Sequence, residues 1–303
     1  MAFFTVFTST YNRGYILPEL YQSLCAQTYK NFEWLIIDDG STDHTRELVE
    51  GWKRDPHEFE IQYYYVENGG KPRAINYGVG KAQGEFFIMV DSDDTLTDDA
   101  LAKMHVWCNE IRDDQRLIGV GAARGYRDGR YIKGVPPRVG EVGYIDATNL
   151  ERGKYDLDAD MCEAYKTELF QKFPMATWPG EKFAPEQIAL NEIALHGYML
   201  RWHKDIIYIC EYLEDGLTKG WQGLERRNPM GYAMMYNHML KYPGLTWKQL
   251  FYAACQCVAM SFYGKNPSYI FRSNKPLYTL AALPAGIILS FRRRRQLRIC
   301  EDD

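Results

Sequence analysis

The amino-acid sequence predicts an α/β protein whose mostly parallel sheet is flanked by helices and followed by a helical C-terminal extension. Three recurring features support this fold class. Short apolar runs recur through the first half of the chain, a polar loop follows each run, and a segment with helical spacing of apolar residues follows each loop. This alternation is typical of parallel strands that are joined by helical crossovers.

The composition places the chain among globular proteins and argues against several other classes. Its 303 residues are 46% hydrophobic and 25% charged, which is enough for one large domain with an appendage. The net charge of −4 gives no reason to expect a nucleic-acid partner. The seven cysteines are scattered without a C-x-x-C pair, so we expect a reducing, cytoplasmic location. We find neither a signal-peptide pattern nor an apolar run of transmembrane length.

The first half of the chain predicts four strands, each followed by a helix. Each strand is an apolar run that suits burial on both faces of a sheet. The first helix begins near Pro18, and a polar residue within 41–43 caps the second. The strands are predicted over 3–7, 33–37, 61–66 and 86–90, and the helices over 16–24, up to Trp52, over 73–82 and from Asp98.

Polar loops follow these strands at one edge of the predicted sheet, where α/β proteins bind ligands. The loops are 8–13, 38–43, 68–73 and 91–94, and the last carries Asp91, Asp93 and Asp94. Crowded carboxylates repel one another unless a cation neutralises them. Oxygen ligands suit Mg²⁺ or Mn²⁺, which favours a phosphate-bearing substrate. The alternative is a solvated acidic turn in which an aspartate only caps the next helix.

Four motifs in this stretch resemble those of family 2 glycosyltransferases, of the type that builds bacterial surface polysaccharides. They read F-T-S-T-Y-N-R, I-I-D-D-G-S-T-D, N-G-G-K-P-R-A-I-N-Y-G and F-I-M-V-D-S-D-D, in the order and spacing of the family, within the first 110 residues. The resemblance implies the Rossmann-like GT-A fold. It also implies an inverting, hexosyltransferase-type enzyme that uses a nucleotide-diphosphate sugar, most often a UDP-sugar, with Mn²⁺ or Mg²⁺. The acceptor would be a hydroxyl of a glycan or of a polyprenol-linked saccharide.

The resemblance also implies a role for each residue that matches a motif. Asp39, or its neighbour Asp38, should hydrogen-bond the base, and Asn68 should line the base and ribose. Asp91 should meet the ribose or the metal, and Asp93 should bind the metal that bridges the two phosphates. The whole implied donor-binding set is Thr8, Thr10, Tyr11, Arg13, Asp38, Asp39, Asn68, Gly69, Lys71, Arg73, Asp91 and Ser92.

An inverting transferase needs a base that takes the proton from the acceptor hydroxyl. In the family this base is a carboxylate, typically in a Glu-Asp pair that opens a helix. The matching pair here is Glu186-Gln187, so the second acid is replaced by an amide. We assign the base to Glu186 and keep Glu181, Asp160 and Glu163 as alternatives. A purely structural acid in the first turn of a helix is the other interpretation of Glu186.

The second half of the chain predicts the acceptor side of the catalytic domain and a helical region after it. We expect the catalytic domain to cover 1–225, with a donor half at 1–110 and an acceptor half at 111–225, and the helical region to cover 226–303. The predicted elements are strands at 117–123, 159–165 and 201–210, a hairpin at 124–134, an irregular loop at 134–155, and helices at 166–172, 187–196, 230–240 and 247–262.

The segment 210–219 resembles one that folds over the donor phosphates in polysaccharide transferases. By that resemblance Thr218 or Lys219 would reach the diphosphate, although a plain connector has the same pattern.

The C-terminal stretch suggests contact with a membrane surface. Residues 277–289 are apolar, broken by Pro284, and arginines follow at 292–295 and at Arg298. The apolar part is too short to span a bilayer, but an apolar segment with a basic cluster suits interfacial attachment to anionic lipid. We therefore predict a peripheral contact through 277–298 at the inner face of the cell membrane. A core helix with a solvated basic tail is the alternative.

Two other functions are compatible with parts of the sequence. Asp91 and Asp93 match the D-x-D-x-T of haloacid-dehalogenase-like phosphohydrolases, but that motif ends the first strand of its domain and here three strand–helix units precede it. The second alternative is a catalytically silent module that binds a sugar nucleotide, which the Gln187 substitution keeps open.

Overall fold

The computed structural model describes residues 2–210 and 221–299, and the segment 211–220 with Thr218 and Lys219 lies outside the described residues. The chain divides into two compact units. The first unit consists of Met1–Pro174 and Asn191–Leu213, and the second of Met175–Leu190 and Glu214–Asp303. All described strands lie in the first unit. The boundary that we predict at residue 225 stays a prediction.

The first unit is built on one mixed sheet, which in the described residues has nine strands. Their order is β3-β2-β1-β4-β8-β6-β9-β5, and β7 also pairs with β9. The parallel pairs are β1 with β2 and with β4, β2 with β3, and β6 with β9, while β8 runs antiparallel to both β4 and β6. The strands are β1 (Phe4–Thr10), β2 (Phe32–Asp38), β3 (Glu60–Tyr65), β4 (Phe86–Met89), β5 (Thr95–Leu96), β6 (Leu117–Gly125), β7 (Tyr144–Ala147), β8 (Met161–Lys166) and β9 (Met199–Ile209).

Helices cover both faces of this sheet, which explains why its central strands are almost continuously apolar. On one face, Leu17, Leu20 and Leu24 of α1 pack into the same core as Trp34 of β2. On the other face, Phe87 of β4 lies against Phe170 of α5. The helices of the first unit are α1 (Leu17–Cys25), α2 (Thr45–Trp52), α3 (Lys71–Val79), α4 (Ala100–Ile111) and α5 (Thr167–Phe170). The next helix, α6 (Gln187–Leu195), begins in the second unit and ends in the first.

One predicted loop is wrong in part. Within the predicted irregular loop 134–155, the structure contains β7 and a 3₁₀ helix at Asn149–Tyr155. The strand forms because β7 pairs antiparallel with β9 and so satisfies its backbone groups. The 3₁₀ helix begins at a capping box, in which the Glu151 carboxylate accepts from the backbone and side chain of Thr148. The hairpin predicted at 124–134 is reduced to a turn with one isolated bridge, between Gly125 and Tyr131.

The second unit is helical in its described part. Its helices are α7 (Trp221–Arg227), α8 (Pro229–Met239), α9 (Trp247–Tyr263), a 3₁₀ helix (Pro267–Arg272) and α10 (Pro276–Ile299). A capping box of Thr246 and Gln249 starts α9, which packs against α8 and α10. Pro284, which interrupts the apolar stretch in the sequence, lies inside α10, and the helix continues through it. No helix in the described ranges is both long enough and apolar enough to cross a membrane.

Candidate active site

Four loops meet at the carboxyl ends of β1, β2, β3 and β4, and bonds link each loop to the next. The first link joins the loop after β1 to the loop after β2. The backbone N–H of Asn12 donates to Ser41 Oγ at 2.8 Å, and Asn12 Oδ1 accepts the N–H of Thr42 at 2.8 Å. Asn12 has a φ of 53°, in the left-handed region that asparagine tolerates. The convergence predicted from the alternation of strands and loops is therefore confirmed.

Asp39 makes the second link, between the loops after β2 and β3. One carboxylate oxygen accepts the N–H of Gly69 and the other accepts the N–H of Gly70, each at 2.8 Å. Gly70 has a φ of 91°, which explains the glycine at this turn. Asn68 Nδ2 donates to the Asp39 carbonyl at 2.6 Å, and Arg73 donates to the Gly69 carbonyl at 2.6 Å. The structure thus gathers four of the predicted base-binding and ribose-binding residues, from two loops, into one hydrogen-bonded cluster.

Asp38 differs from Asp39 in its surroundings. It is fully buried, and its carboxylate accepts the N–H of Ser41 at 2.7 Å and the hydroxyl of Tyr63 at 2.6 Å. Burial and the Asp38 charge raise the pKa of Tyr63, so this hydroxyl stays protonated as a donor. With these bonds in place, Asp38 braces the loop after β2, and Asp39 is the better candidate for contact with a base.

Three basic side chains hold the carboxylates that follow β4. Lys71 Nζ donates to Asp91 Oδ1 at 2.7 Å, which makes the third link between loops. Arg13 Nη1 lies 3.5 Å from Asp93 Oδ2, which closes the ring back to the loop after β1. Arg124, from β6, lies 3.4 Å from Asp91 Oδ2. Each carboxylate of the predicted metal pair therefore has a cationic partner from another segment.

Tyr208, on β9, bridges the acidic loop. Its buried hydroxyl accepts the N–H of Asp91 at 2.9 Å and donates to Asp94 Oδ2 at 2.9 Å. The Arg124 guanidinium lies over the same ring, 4.0 Å from the centroid. Our sequence analysis missed both residues, because they lie 117 and 33 positions from Asp91. The available signal was a basic residue, Arg124, near the end of an otherwise apolar strand.

Burial and charge set the protonation of the acidic loop. Burial alone would raise the pKa of Asp91, but the charges of Lys71 and Arg124 outweigh it, and this pKa lies below its usual value. Burial and the Asp91 charge raise the pKa of Asp93. The same two causes raise the pKa of Asp94 to about 7. Further positive charge at this loop would favour the ionised forms of both raised groups.

The loop fits a divalent cation of the hard, oxygen-binding kind. Asp91 and Asp93 offer only oxygen donors, as Mg²⁺ and Mn²⁺ prefer. Across residues 2–210 and 221–299, no group of three or more histidine, cysteine, aspartate or glutamate side chains is arranged to hold a metal. A cation at this loop would therefore need ligands from a diphosphate and from water, which is the usual arrangement for Mg²⁺.

The remaining predicted donor-binding residues fall into three environments. Thr8 faces the core, where its hydroxyl accepts from Trp34 Nε1 at 3.0 Å. Thr10 ends β1, and its buried hydroxyl has no hydrogen-bond partner among the described residues. Tyr11 is half exposed, and Ser92 is buried. Thr10 is the group that best fits a polar ligand atom, since a buried hydroxyl is normally bonded.

Among the candidates for the catalytic base, Glu181 has a clear structural role. Its two carboxylate oxygens accept the N–H groups of Met230 and Gly231, each at 2.8 Å, at the start of α8. These are the donors that a helix leaves unsatisfied at its N-terminus. Burial raises the pKa of Glu181, although the two bonds oppose that rise. We assign Glu181 to capping this helix.

The other base candidates also differ in their surroundings. Glu163 is buried on β8, 3.8 Å from the Arg152 guanidinium. Asp160 is exposed next to the start of β8. Glu186 is half buried and directly precedes α6, where its carbonyl accepts the N–H of Leu190 at 3.1 Å. The assignment of the base to Glu186 stays a prediction.

Comparison with known proteins identifies the family. A family model described as Glycosyl transferase family 2 matches residues 5–173, more than half of the chain. The chain belongs to this family. The family match confirms the resemblance seen in the four motifs, and we set aside the phosphohydrolase interpretation of Asp91 and Asp93. The acidic loop is therefore part of a glycosyltransferase.

Relatives of this glycosyltransferase include proteins of Streptococcus pneumoniae, Staphylococcus aureus and Rickettsia. Glycosyltransferase GlyG of Streptococcus pneumoniae is 28% identical over 218 residues, which cover 69% of this chain and 68% of GlyG. The poly(ribitol-phosphate) beta-N-acetylglucosaminyltransferase TarS of Staphylococcus aureus is 32% identical over 124 residues, which cover 40% of this chain and 22% of TarS. Two Rickettsia glycosyltransferases are matched over 16% of their length. This chain thus corresponds to only part of several of its relatives.

Solved structures confirm the fold class of this glycosyltransferase. The crystal structure of TarS residues 1–349 with UDP-GlcNAc has a TM-score of 0.62 at 20% identity, covering 96% of this chain and 82% of that one. The mannosyltransferase PcManGT from Pyrobaculum calidifontis, with GDP-Man and Mn²⁺, has a TM-score of 0.55 at 17% identity, covering 97% of this chain and 82% of that one. The predicted α/β architecture of the GT-A kind, with a helical C-terminus, is confirmed.

Proposed function

We propose that this glycosyltransferase transfers a hexose-type sugar from a nucleotide-diphosphate sugar to a hydroxyl of a glycan or polyprenol-linked saccharide, with inversion at the anomeric carbon. The observation that carries the proposal is the bonded ring of four loops around Asp91 and Asp93, in a chain of family 2. UDP is the proposed nucleotide, and polysaccharide biosynthesis the proposed setting. Support comes from the UDP-GlcNAc bound to TarS, which has the same fold.

Different residues of the ring are proposed to contact different parts of the donor. Asp39, whose carboxylate also accepts from Gly69 and Gly70, and Asn68, which donates to Asp39, would contact the edge of the base, and Thr10 offers its unbonded hydroxyl. When the donor binds, Lys71 and Arg13 leave the carboxylates of Asp91 and Asp93 and contact the diphosphate instead. Asp91 and Asp93 would hold a divalent cation, Mn²⁺ or Mg²⁺, which would supply positive charge against the diphosphate leaving group.

Glu186 is the proposed base, which accepts the proton of the acceptor hydroxyl as that oxygen attacks the anomeric carbon. The Glu186→Gln variant should bind donor like the wild type and lose at least a hundredfold in transfer rate. Glu181→Gln is the matched control, because it changes a nearby glutamate that caps α8 and should keep its transfer rate once folded. Wild-type turnover by Glu186→Gln would remove this residue from the mechanism.

The test of the function is calorimetric binding of UDP-, dTDP- and GDP-sugars, with and without Mn²⁺. We expect one donor to bind tightly only with the metal, and the Asp93→Ala variant to lose at least tenfold of that metal-dependent affinity. NMR of the product then gives the anomeric configuration. Binding of no donor would refute the proposal. Binding without transfer or hydrolysis would favour the silent binding module.

We further propose that the enzyme works in the cytoplasm at the inner face of the cell membrane, through 277–298. A polyprenol-linked acceptor stays at the bilayer, so a transferase held at that surface would meet its substrate there. The support is the order of an apolar segment and an arginine cluster at the end of the chain.

A further inference from the structure

The helix α10 buries small side chains and exposes large apolar ones, which is the opposite of an ordinary surface helix. A surface helix normally turns its large apolar side chains inward and its polar side chains toward water. From Pro276 to Phe291, α10 has no charged residue, and its large apolar side chains alternate with small ones at helical spacing. Thr279, Ala282, Gly286 and Ser290 are buried, whereas Ala281, Ala285 and several of the largest apolar side chains of α10 are exposed.

Small residues line the inner face of α10. Ala282, Gly286 and Ser290 recur every fourth position and are all buried. The contact with α9 is close, because a Cβ at Gly286 would lie 2.5 Å from Val258 Cβ. Helix pairs that pack through small residues in this way are typical of lipid surroundings, where large apolar side chains gain nothing by turning inward.

Large apolar residues line the outer face of α10. The exposed fraction is 82% for Leu277, 65% for Leu280, 55% for Ile288 and 61% for Phe291. Pro284, which cannot donate a backbone hydrogen bond, lies on the same exposed face. The 14 residue steps from Leu277 to Phe291 correspond to about 21 Å of helix. That length is too short to cross a bilayer of about 30 Å but suits a helix that lies in its surface.

Basic side chains continue this outer face at its C-terminal end. Arg292 and Arg294 are exposed, whereas Arg293 turns inward and pairs with Glu225 and with Gln256, the latter at 2.6 Å. At the other end, Lys275 is exposed directly before the helix. The sequence from 292 to 303 carries five arginines and three acidic residues, a net charge of +2. An apolar stripe with positive charge at both ends is complementary to an anionic lipid surface.

We infer that the outer face of α10, formed by Leu277, Leu280, Pro284, Ile288 and Phe291 with the exposed arginines beside it, docks on the surface of an anionic lipid bilayer. The inference rests on the membrane location proposed above and specifies how this chain reaches it. The helix lies parallel to the bilayer, its apolar stripe enters the acyl boundary, and its basic side chains contact lipid phosphates. The occupant is lipid rather than a second copy of the chain, because only an anionic partner matches the charges at both ends of the stripe.

The experiment is co-sedimentation of the full-length protein with sucrose-loaded vesicles of 70% phosphatidylcholine and 30% phosphatidylglycerol. The triple variant Leu280→Ser, Ile288→Ser, Phe291→Ser should bind at least tenfold more weakly. Arg292→Gln should bind roughly fivefold more weakly, which corresponds to one arginine near the surface. The matched control is Val142→Ser, which changes an exposed apolar residue of the first unit and should bind like the wild type.

Each outcome supports or overturns the inference. Wild-type binding that weakens in the triple variant, weakens on pure phosphatidylcholine and falls with salt supports it. Equal binding by the triple variant, or equal binding to neutral vesicles, overturns it. A wild-type protein that ignores all vesicles also overturns it, and self-association by light scattering that the triple variant loses would assign the face to a second copy. Calorimetric donor binding, measured on the same preparations, separates this failure from a failure of the proposed transfer.

Discussion

The hydroxyl of Tyr208 holds the acidic loop in its observed conformation. It accepts the backbone N–H of Asp91 and donates to the Asp94 carboxylate, and Tyr208 is fully buried. Burial raises the pKa of this hydroxyl, so it remains a donor at neutral pH. The Tyr208→Phe variant removes the oxygen and keeps the ring, so the contact with Arg124 is retained. The change therefore tests the two hydrogen bonds without opening a large cavity.

The cost of the change follows from the two lost partners. The Asp91 N–H is left without its bond, which costs about 1–3 kcal/mol for a buried donor. The bond to Asp94 is worth about 1 kcal/mol when that carboxyl is protonated and more when it is ionised. We therefore expect Tyr208→Phe to lose about 2–4 kcal/mol of unfolding free energy. Because Asp91 and Asp93 are then no longer fixed, Mn²⁺-dependent donor affinity should fall at least tenfold.

Urea unfolding and calorimetry with the donor, each with and without Mn²⁺, measure the two effects. The matched control is Tyr64→Phe, which removes a hydroxyl that donates to Gln62 on β3, away from the acidic loop. This control should lose less stability and keep its donor affinity. A Tyr208→Phe protein with the stability and the donor affinity of the wild type would refute the role that we assign to the hydroxyl.

Three further changes test other parts of the structure. The buried Glu33 carboxylate accepts hydrogen bonds from Thr5, Gln62 and Gln83. Glu33→Ala should therefore lose about 3 kcal/mol or more of unfolding free energy in urea, and Glu33→Gln should lose less. Equal losses in the two variants would argue against this network. Glu181→Ala should lose about 1–2 kcal/mol in thermal unfolding, as for other lost helix caps, and a larger loss of transfer than of stability would give Glu181 a catalytic role. Burial lowers the pKa of His203 from 6.5 to about 4. As pH falls, His203 therefore binds a proton in the unfolded chain before it does so in the folded protein. The unfolding free energy should fall by roughly 3 kcal/mol as pH drops from about 6.5 to 4, and His203→Phe should remove that part of the pH dependence.

The donor side of the site could be predicted from sequence because parallel strands place their C-terminal loops at one edge. Asp39 and Gly69 lie 30 positions apart, yet each follows a strand of the same parallel series, so their contact follows from topology. The same reasoning brought Lys71 to Asp91. Local signals also located the helices, since apolar spacing and caps are properties of neighbouring residues.

The other side of the site could not be predicted because strands that are distant in sequence enter the sheet out of chain order. β8 lies between β4 and β6, although β6 precedes it in the chain, and β9 then pairs with β6. Arg124 is marked as unusual by its basic side chain in an apolar strand, but nothing in β6 or β9 alone indicates which loop Arg124 and Tyr208 face. The outward apolar face of α10 was hidden for a related reason. Its sequence shows an apolar run, but only the packing on α9 shows which side of that run is buried.

The charge balance of the site bears on the proposed binding of metal and donor. Asp91, Asp93 and Asp94 face Lys71, Arg13 and Arg124, so three carboxylates lie among three basic side chains. A sugar-nucleotide diphosphate carries two negative charges, and a divalent cation carries two positive charges. Under the proposed function, their joint binding would add no net charge to this partly buried loop, whereas either alone would leave two charges uncompensated. We infer that metal and donor bind cooperatively, because each supplies the charge that the other needs.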